Sequence, residues 1–535
     1  MKKVVFRTML IGLFIGMVFA SYACATVDDH IVRFTASGTG NIDPAQGQDN
    51  ASRCALTNIY DSLMFQDYLG NFKGGVAEFW KISEDGLKYT FKIRDDILFH
   101  NGDKLTADDV VFSMKRLLGI KRGFSYLFEG LVKDISNPSD DTVVITLSEP
   151  FGPFLATLTR VWIVNKKQVL EHLQDGSFGE FKDYGTNWLI NNDAGSGPYK
   201  VVEMAHNQYL RAVKFSEYWK GFKLGNPEGF ELLAVSEPVT VRTMMMRRQL
   251  EFTDEWQSVE TYKNLKKVKG IDILAVSNGK MMYLSLNNAK APTDDVHFRK
   301  ALSYAIDYEA LLQIFPWAKL AKAPVAPSLI GAASDLPYYY YDLEKAKKEL
   351  ALSKYADNPG KYPIEIAWVA DVPDREKLAL AFQTYFDKLG INVEIVKVPW
   401  SKLVDQASRL ESTPHGMTIS IATQYSEAGS PLRALYYSES IGTYANPSWV
   451  KYPDIDEAID KALKKTDLDE RIKLYHRAQE LIVQHQPHIP IFEEQEVHAY
   501  QSGYLAWEPA ELQKQGKSII PGLDLLYMPS VQFKK

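Results

Sequence analysis

The stretch from Val76 to Leu118, VAEFWKISEDGLKYTFKIRDDILFHNGDKLTADDVVFSMKRLL, decides the fold prediction. Apolar residues from Tyr89 to Ile93 alternate with charged or hydroxyl residues, which is the period-two pattern of a half-buried strand. Thr106 stands three residues before Asp109, as in a capping box at a helix start, and apolar residues then recur at helical spacing. The stretch therefore predicts a strand, a polar loop and an amphipathic helix of an α/β domain.

The same two periodicities predict further strands and helices along the chain. Strands are predicted at Thr142–Leu147, which is expected to pair with the Tyr89 strand, and at Met282–Leu286, Ile364–Val369, Val393–Val398 and Met417–Ile421. Helices are predicted from Phe298 to Ile306 and from Leu468 to Ile482, the second capped by Thr466 and closed before Pro487. Asp294 and Asp295 are interpreted as acidic residues at a helix N-terminus. The pattern indicates mixed α/β architecture.

The first residues are typical of an export signal. A positively charged start, MKKVVFR, precedes an apolar run from Met9 to Ala20 and a small-residue cleavage site after Ala25. Cys24 leaves open a lipid anchor, but Ser21 stands where lipoprotein signals usually carry an aliphatic residue. We expect a soluble periplasmic protein that is not a lipoprotein.

Length and composition restrict the class of protein further. A chain of 535 residues exceeds what one core usually serves, so two or three domains are expected. The formal net charge of −6 speaks against nucleic-acid binding, which needs basic surfaces. No later apolar run reaches membrane-spanning length. Cys54 would be the one cysteine left after cleavage and is expected to be a small buried apolar residue.

A search for catalytic motifs finds no set of residues that could form an active site. The sequence has no Gly-x-Ser-x-Gly elbow, no Walker loop and no His-Glu-x-x-His pair. His485 and His488 are separated by Pro487, so they are interpreted as polar residues around a helix end and not as metal ligands. We predict no catalytic residue, metal or cofactor, and any ATP used with this protein would be hydrolysed by another chain.

The order of motifs resembles one family. The opening stretch is similar to a segment of the bacterial extracellular solute-binding proteins of family 5, the dipeptide- and oligopeptide-binding group of ABC importers. Three further motifs agree in the same order: GSGPYK at Gly195–Lys200, YLSLNNAKAPTDDVHFRKALSYAIDYEAL at Tyr283–Leu311 and YDLEKAKKEL at Tyr341–Leu350. The resemblance covers nearly the whole chain after residue 25.

The resemblance implies a two-lobed α/β fold, the type II, cluster C form of the periplasmic-binding-protein fold, with an extra domain in the first lobe. By analogy, the first lobe comprises residues 26–65, 196–290 and 495–528, and the extra domain comprises residues 66–195. The second lobe comprises residues 291–494, and residues 1–25 form the signal peptide. The ligand would be enclosed between the two lobes.

The resemblance and the residue types together suggest three ligand-contacting segments. Ser37, Gly38 and Thr39 form a small-residue loop at the end of a predicted strand, where backbone amides can approach a ligand closely. Trp256 and Gln257 lie in QLEFTDEWQS, at a place where relatives pass from the lobe surface into the cleft. Trp400 matches a position where relatives carry an aromatic residue packed on the ligand. For each segment a purely structural role is the alternative.

Gln424 and Tyr425 form a fourth predicted segment, where the sequence departs from the family pattern. Peptide binders of this family carry an aspartate that pairs with the peptide's α-ammonium, and Gln424 stands in its place. A buried ammonium without a partner costs about 2–5 kcal/mol. Either Glu427, Asp254 or Glu255 replaces the aspartate, or the cargo has no free amino terminus; a shift of one or two residues in the alignment would also explain the difference.

The predicted function is that of an extracytoplasmic receptor of an ABC importer, which closes over a peptide or similar-sized solute and delivers it to a permease. Permease and ATPase would be separate chains, and the receptor is expected to be a monomer that does not span the membrane. Three alternatives stay open: a non-peptide cargo such as an oligosaccharide, opine-like compound or metal chelate; a sensory partner that uses the same closure; and an exported hydrolase.

Overall fold

The computed structural model describes residues 30–36, 38–370, 372, 374–520 and 524–535. The predicted signal peptide, Cys24 and Ser37 lie outside the described residues. The strands are Ile31–Thr35 (β1), Met64–Gln66 (β2), Phe72–Gly74 (β3), Ala77–Ile82 (β4), Lys88–Ile93 (β5), Val132–Ser139 (β6), Thr142–Leu147 (β7), Tyr199–Ala205 (β8), Tyr209–Lys214 (β9), Gly229–Leu233 (β10), Asp272–Leu286 (β11), Lys319–Leu320 (β12), Ile364–Val369 (β13), Val393–Val398 (β14), Gly416–Ile421 (β15), His488–Tyr500 (β16), Leu505–Trp507 (β17) and Val531–Phe533 (β18).

The α-helices alternate with these strands along the chain. They are Asn50–Ile59 (α1), Ala107–Ile120 (α2), Phe154–Thr157 (α3), Lys166–Glu171 (α4), Thr186–Leu189 (α5), Pro238–Met246 (α6), Val259–Leu265 (α7), Val296–Ala305 (α8), Tyr308–Ile314 (α9), Leu343–Leu352 (α10), Asp374–Asp387 (α11), Trp400–Ala407 (α12), Gly429–Tyr436 (α13), Pro453–Lys464 (α14), Leu468–His485 (α15) and Glu508–Lys514 (α16). Among the described residues, no helix combines the length and the hydropathy that a membrane span requires.

Three larger sheets organise the molecule. The first has the order β1-β10-β9-β8, with β1 parallel to β10. The second has the order β12-β16-β11-β15-β13-β14, in which β13 is parallel to both of its neighbours and β11 is antiparallel to both of its own. The third, with the order β4-β5-β7-β6, is formed by consecutive antiparallel pairs. The architecture is therefore mixed α/β, as the sequence predicts.

Two long strands, β11 and β16, join the two lobes. They pair from Asp272 opposite Tyr500 to Ser277 opposite Gln495, and pairing resumes at Met281 opposite Glu493 after an irregularity. Gly279, inside the irregularity, has φ +78°, a conformation that suits glycine. The interruption gives both strands a natural bending point between two regularly paired halves.

The two halves of these strands belong to different hydrophobic cores. Leu274 packs in the core of the first sheet, with Phe34 and Leu232. Leu284, beyond the irregularity, packs instead with Phe298 of helix α8. We call the parts around these two cores the first lobe and the second lobe.

The strand and helix of the opening stretch form as predicted. Tyr89 and Phe91 of β5 are buried, and β5 pairs with β7. The backbone N–H of Thr106 donates to Asp109 Oδ2 at 2.9 Å, which completes the predicted capping box of α2. The third sheet shares its core with the second lobe, where the rings of Phe151 and Tyr425 meet edge to face at 6.3 Å. The domain boundaries stay a prediction.

The other predicted elements also form, with one correction. Strands β7, β13 and β14 have the predicted bounds, and the remaining two predicted strands lie within β11 and β15. Asp295 caps α8 by accepting from the backbone N–H of Phe298 at 3.0 Å. The predicted cap Thr466 is wrong, because Asp467 caps α15 by accepting from the backbone N–H of Glu470. Asp467 directly precedes the first helical residue, where a side chain can reach the third free N–H.

Candidate functional site

Two adjoining cavities lie between the lobes, beside the irregularity of β11 and β16. The larger, of about 420 Å³, we call the aromatic chamber; it is lined by Trp256, Phe315, Trp317, Arg375, Trp400 and Phe492, among others. The smaller, of about 280 Å³, we call the polar chamber; its lining includes Asn50, Arg53, Gln424, Glu496 and Asp524. Glu255, Trp256 and Lys280 line both, so the two chambers form one cleft.

Trp256 and Lys280 mark the boundary between the chambers. Lys280 follows Gly279 in β11, and its Nζ lies 4.5 Å from the centre of the Trp256 ring. The same Nζ is 3.0 Å from Glu494 Oε2 in β16, so the lysine charge is balanced by a carboxylate. Trp256 is 56% exposed, and its backbone N–H donates to Asp254 Oδ1 at 2.8 Å. A large aromatic face is thereby held open to the cleft.

The polar chamber holds acidic groups in a partly buried setting. Burial and the charge of Glu496 raise the pKa of Glu255 above its ordinary value. Asn50 Nδ2 donates to Glu255 Oε1. Glu496 accepts from His498 Nε2 at 2.9 Å and from Asn278 Nδ2 at 3.3 Å. These carboxylates offer acceptors to a ligand group that donates hydrogen bonds or carries positive charge, while Arg53, Arg160 and Lys280 line the same chamber as cations.

His498 supports Glu496 from behind the chamber. Its Nδ1 lies 2.7 Å from the carbonyl oxygen of Thr253 and its Nε2 lies 2.9 Å from the Glu496 carboxylate, so acceptors face both ring nitrogens. Burial alone would lower the pKa of His498, but the Glu496 carboxylate raises it to about 9. We infer that the ring is an imidazolium that donates both hydrogen bonds.

This pair gives a pH prediction for stability. A histidine whose pKa rises from 6.5 in the unfolded chain to about 9 in the fold stabilises fully below pH 6.5 and loses this contribution as the pH rises through 9. We expect a loss of about 3 kcal/mol across that window, because each pKa unit corresponds to about 1.4 kcal/mol. Urea unfolding between pH 6 and 9.5 measures it. In the His498→Gln variant the free energy of unfolding should fall much less steeply with pH. Equal slopes in the variant and the wild type would contradict the raised pKa of His498.

Several chamber-lining residues carry buried polar atoms that have no hydrogen-bond partner in the described part of the chain. They are Arg53 Nε in the polar chamber, and Arg375 Nε, Trp317 Nε1 and Ser420 Oγ in the aromatic chamber. Buried polar groups are rarely left without a partner, and exceptions are frequent at functional sites. Because most of these atoms are N–H donors, a ligand with acceptor groups is the natural complement.

The predicted site residues take different positions. Trp256 lines both chambers, Trp400 lines the aromatic chamber, and Gln424 and Tyr425 line the polar chamber. Trp400 meets the Tyr444 ring edge to face at 4.9 Å. The Gln424 carbonyl accepts from Arg160 Nε at 3.2 Å, a contact between the second lobe and the segment before α4.

The remaining predicted residues have structural contacts in the described part of the chain. Thr39 is fully buried, and its Oγ1 accepts from the Asn207 backbone N–H at 3.1 Å. Gly38 is half-buried beside the same Asn207. Gln257 is buried, and its Nε2 donates to Asp254 Oδ2 at 3.1 Å. None of the three is among the chamber-lining residues, and their ligand role stays a prediction.

Of the three carboxylates that could replace the family's aspartate, Glu255 alone lines the chambers among the described residues. Glu427 is buried and bound by Arg471 at 2.8 and 2.9 Å. Asp254 accepts from the Thr35 hydroxyl at 2.7 Å as well as from Trp256 and Gln257. Both are therefore committed to structural contacts.

The residues that sequence reasoning missed are mostly charged. Arg53, Lys280, Arg375 and Glu496 line the chambers, yet none belongs to a recognisable motif. One available signal was the interrupted strand pattern around Gly279, which places a lysine at a bend. The other was the polar run from Glu493 to Glu496, three glutamates and one glutamine, which is unusual for a central strand.

The histidines and the cysteine make structural contacts. His485 Nε2 lies 2.8 Å from Asp454 Oδ2, and the Leu286 backbone N–H donates to buried His488 Nδ1 at 3.1 Å. Burial lowers the pKa of His488 to about 4, so the ring is neutral at pH 7. Cys54 is buried as predicted, and burial raises the pKa of its thiol. A thiol of raised pKa is a poor nucleophile.

Two lobes joined by a pair of interrupted strands, with a ligand-sized cleft between them, define a class of proteins that enclose a small solute by hinge closure. Residues 71–443 match the bacterial extracellular solute-binding proteins, family 5 Middle. The chain belongs to this family, which confirms the resemblance and the predicted function class, a solute-binding protein of ABC importers.

The relatives and solved structures agree with this assignment. The probable D,D-dipeptide-binding periplasmic protein DdpA of Escherichia coli K12 is 27% identical over 507 residues, which are 92% of this chain and 94% of that protein. Heme-binding protein A of Haemophilus influenzae is 27% identical over 463 residues, 81% of each chain. The periplasmic binding protein DppA of Helicobacter pylori, solved with the peptide STSA, has a TM-score of 0.75 at 22% identity, covering 94% of this chain and 98% of that one. The predicted two-lobed fold is confirmed.

Proposed function

We propose that this protein is the extracytoplasmic receptor of an ABC importer that captures a peptide or a peptide-sized solute and releases it unaltered to a membrane permease. The observation that carries the proposal is the pair of chambers between the lobes, which share Glu255, Trp256 and Lys280. Its curated relatives are named as binding proteins, which agrees with a role without catalysis. We expect a periplasmic monomer that works with separate permease and ATPase chains.

Capture depends on a hinge, and the break in β11 and β16 suits one. Trp256 and Glu255 face the cleft from the first lobe, and Trp400 and Gln424 face it from the second. Rotation about Gly279 would change the distance between these two sides. A solute in the cleft contacts both sides at once, so it stabilises the closed state by its differential affinity for that state. The permease would recognise the closed, loaded form.

Peptides are the first candidate cargo, because the cleft offers complementary groups for both ends of a zwitterion. Glu496 lies in the polar chamber and Arg375 lines the aromatic chamber, while Glu255 and Lys280 line both. Glu255 can replace the family's aspartate as the partner of an α-ammonium, which reconciles Gln424 with a peptide ligand. The alternative cargo is a solute without a free amine, such as an oligosaccharide, an opine-like compound or a metal chelate.

Binding of matched ligand pairs tests this proposal. We expect free-amine dipeptides and tripeptides to raise the thermal unfolding midpoint of the purified protein, and their N-acetylated forms to bind about 30-fold or more weakly, because a buried charge pair is lost. Glu255→Gln should weaken binding of the free-amine form and reduce the difference between the two forms. Glu260→Gln, an acidic residue of helix α7 that is exposed to solvent, is the matched control.

The outcomes separate the candidate functions. Stabilisation by N-acetylated peptides, sugars or chelates alone would overturn the peptide assignment and favour the alternative cargo. Recovery of the bound compound in a chemically changed form, shown by mass spectrometry, would favour the hydrolase. Neighbouring genes for a permease and an ATPase would favour transport over a sensory role.

A further inference from the structure

The aromatic chamber is built for a large apolar group. A volume of about 420 Å³ lies within the range of sites that bury small molecules. Its aromatic lining comes from four separate segments: Trp256 precedes α7, Phe315 and Trp317 follow α9, Trp400 begins α12, and Phe492 lies in β16. Aromatic rings from several directions pack well against another planar ring, with offset or edge-to-face geometry.

Arg375 adds a positive charge to this chamber, and the charge of Glu494 acts on it without a direct ion pair. Among the described residues its guanidinium makes one hydrogen bond, from Nη1 to the carbonyl oxygen of Thr418 at 3.2 Å, and has no carboxylate within 4.0 Å. Its Nε is buried and has no acceptor in the same part of the chain. A guanidinium offers a planar fork of N–H donors that matches a carboxylate with two parallel hydrogen bonds.

The acids around the chamber already have other partners. Glu494 lies 3.0 Å from Lys280 Nζ, and Asp374, next to Arg375, lies 2.7 Å from Lys377 Nζ. Glu255 accepts from Asn50 on the side of the polar chamber. Because none of these carboxylates forms a direct ion pair with Arg375 in the described part of the chain, its N–H donors stay open to a carboxylate of the ligand.

We propose that the aromatic chamber selects solutes in which an aromatic ring lies next to a carboxylate, with the ring packed among Trp256, Trp317 and Trp400 and the carboxylate bound by Arg375. A peptide that ends in an aromatic residue carries both groups on that residue, and its amino end would extend into the polar chamber. A free aromatic acid has the same chemistry without the amino end. The peptide form of this inference rests on the proposed function.

Four probes separate the chemistry and its sources: Ala-Phe, Ala-Ala, Ala-Phe amide and N-acetylphenylalanine, each titrated calorimetrically into the purified protein. We expect Ala-Phe to bind at least 10-fold more tightly than Ala-Ala and at least 10-fold more tightly than its amide. In Arg375→Gln the preference for the acid over the amide should disappear, while the preference for the ring should remain. Arg409→Gln, which removes an exposed arginine paired with Asp405, should change neither.

A second variant tests the ring separately from the charge. Trp400 is 41% exposed, so Trp400→Ala should fold, and we expect it to weaken Ala-Phe several-fold more than Ala-Ala. Equal binding of Ala-Ala and Ala-Phe would overturn the inference and leave the peptide receptor intact. Binding of N-acetylphenylalanine with no binding of either free peptide would support the chamber's chemistry and overturn the peptide function. Failure of both Phe-containing acids to bind would overturn the inference itself.

Discussion

Asp43→Ala is expected to lower the free energy of unfolding by about 3–5 kcal/mol, because it leaves a buried guanidinium without its counter-ion. Arg116 of helix α2 binds Asp43 with two hydrogen bonds, of 2.5 and 2.7 Å, and the side chains are 1% and 0% exposed. Arg116 Nε also donates to the carbonyl oxygen of Tyr184 at 2.7 Å. One side chain thereby ties together the loop after β1, helix α2 and the segment before α5.

Urea unfolding of the wild type, Asp43→Ala and a matched surface variant measures this effect. Glu457→Gln removes the exposed pair between Glu457 and Lys461 on helix α14 and should cost no more than about 0.5 kcal/mol. The double variant Asp43→Ala with Arg116→Met should recover part of the loss, since no buried charge then remains unpaired. A loss below 1 kcal/mol in Asp43→Ala would contradict a buried, desolvated pair.

This pair also shows where sequence reasoning about the fold ends. The alternation in β5 and the capping box at Thr106 involve neighbours within a few residues, so period and spacing predict them. Arg116 and Asp43 are 73 residues apart, and nothing local distinguishes Arg116 from a solvated arginine on a helix. The cap of α15 differs by one residue from the prediction because Thr466 and Asp467 are both good caps, and only the position of the first helical residue decides between them.

The residues of the candidate site also fall into those that sequence reasoning could identify and those that only the structure shows. The segments with Trp256, Trp400 and Gln424 were singled out by resemblance, and the structure places these side chains along the chambers. Arg375, in PDREKL, cannot be told from the local sequence apart from any charged residue in the first turn of a helix. Its ability to bind a ligand comes from its burial and from the partners that the neighbouring charged residues already have. Those depend on packing between segments that are distant in sequence.

Gly152→Ala is expected to cost about 3–5 kcal/mol, because the added methyl group would overlap the carbonyl oxygen of Lys465. Gly152 lies where the third sheet's domain meets the second lobe, and its backbone N–H donates to the carbonyl oxygen of Leu463 at 2.7 Å. The same Lys465 carbonyl accepts from Arg471 Nη1 at 2.7 Å, and a Cβ at Gly152 would stand 2.5 Å from that nitrogen. Relief of this clash would displace Arg471 from buried Glu427. The variant would therefore also lose the stabilisation of a buried ion pair.

The consequence should reach the cleft, because Phe151 precedes Gly152 and packs on Tyr425, which lines the polar chamber. We therefore expect Gly152→Ala to weaken ligand binding as well as stability, as measured by urea unfolding and calorimetric titration. Gly38→Ala is the control for the stability measurement alone, since its added Cβ would meet Asn207 Oδ1 at 3.6 Å, an ordinary contact, and stability should change by less than about 1 kcal/mol. If Gly152→Ala were as stable as the control, the third sheet's domain and the second lobe would have to move apart enough to accommodate a methyl group. In that case Phe151 would not hold Tyr425 rigidly.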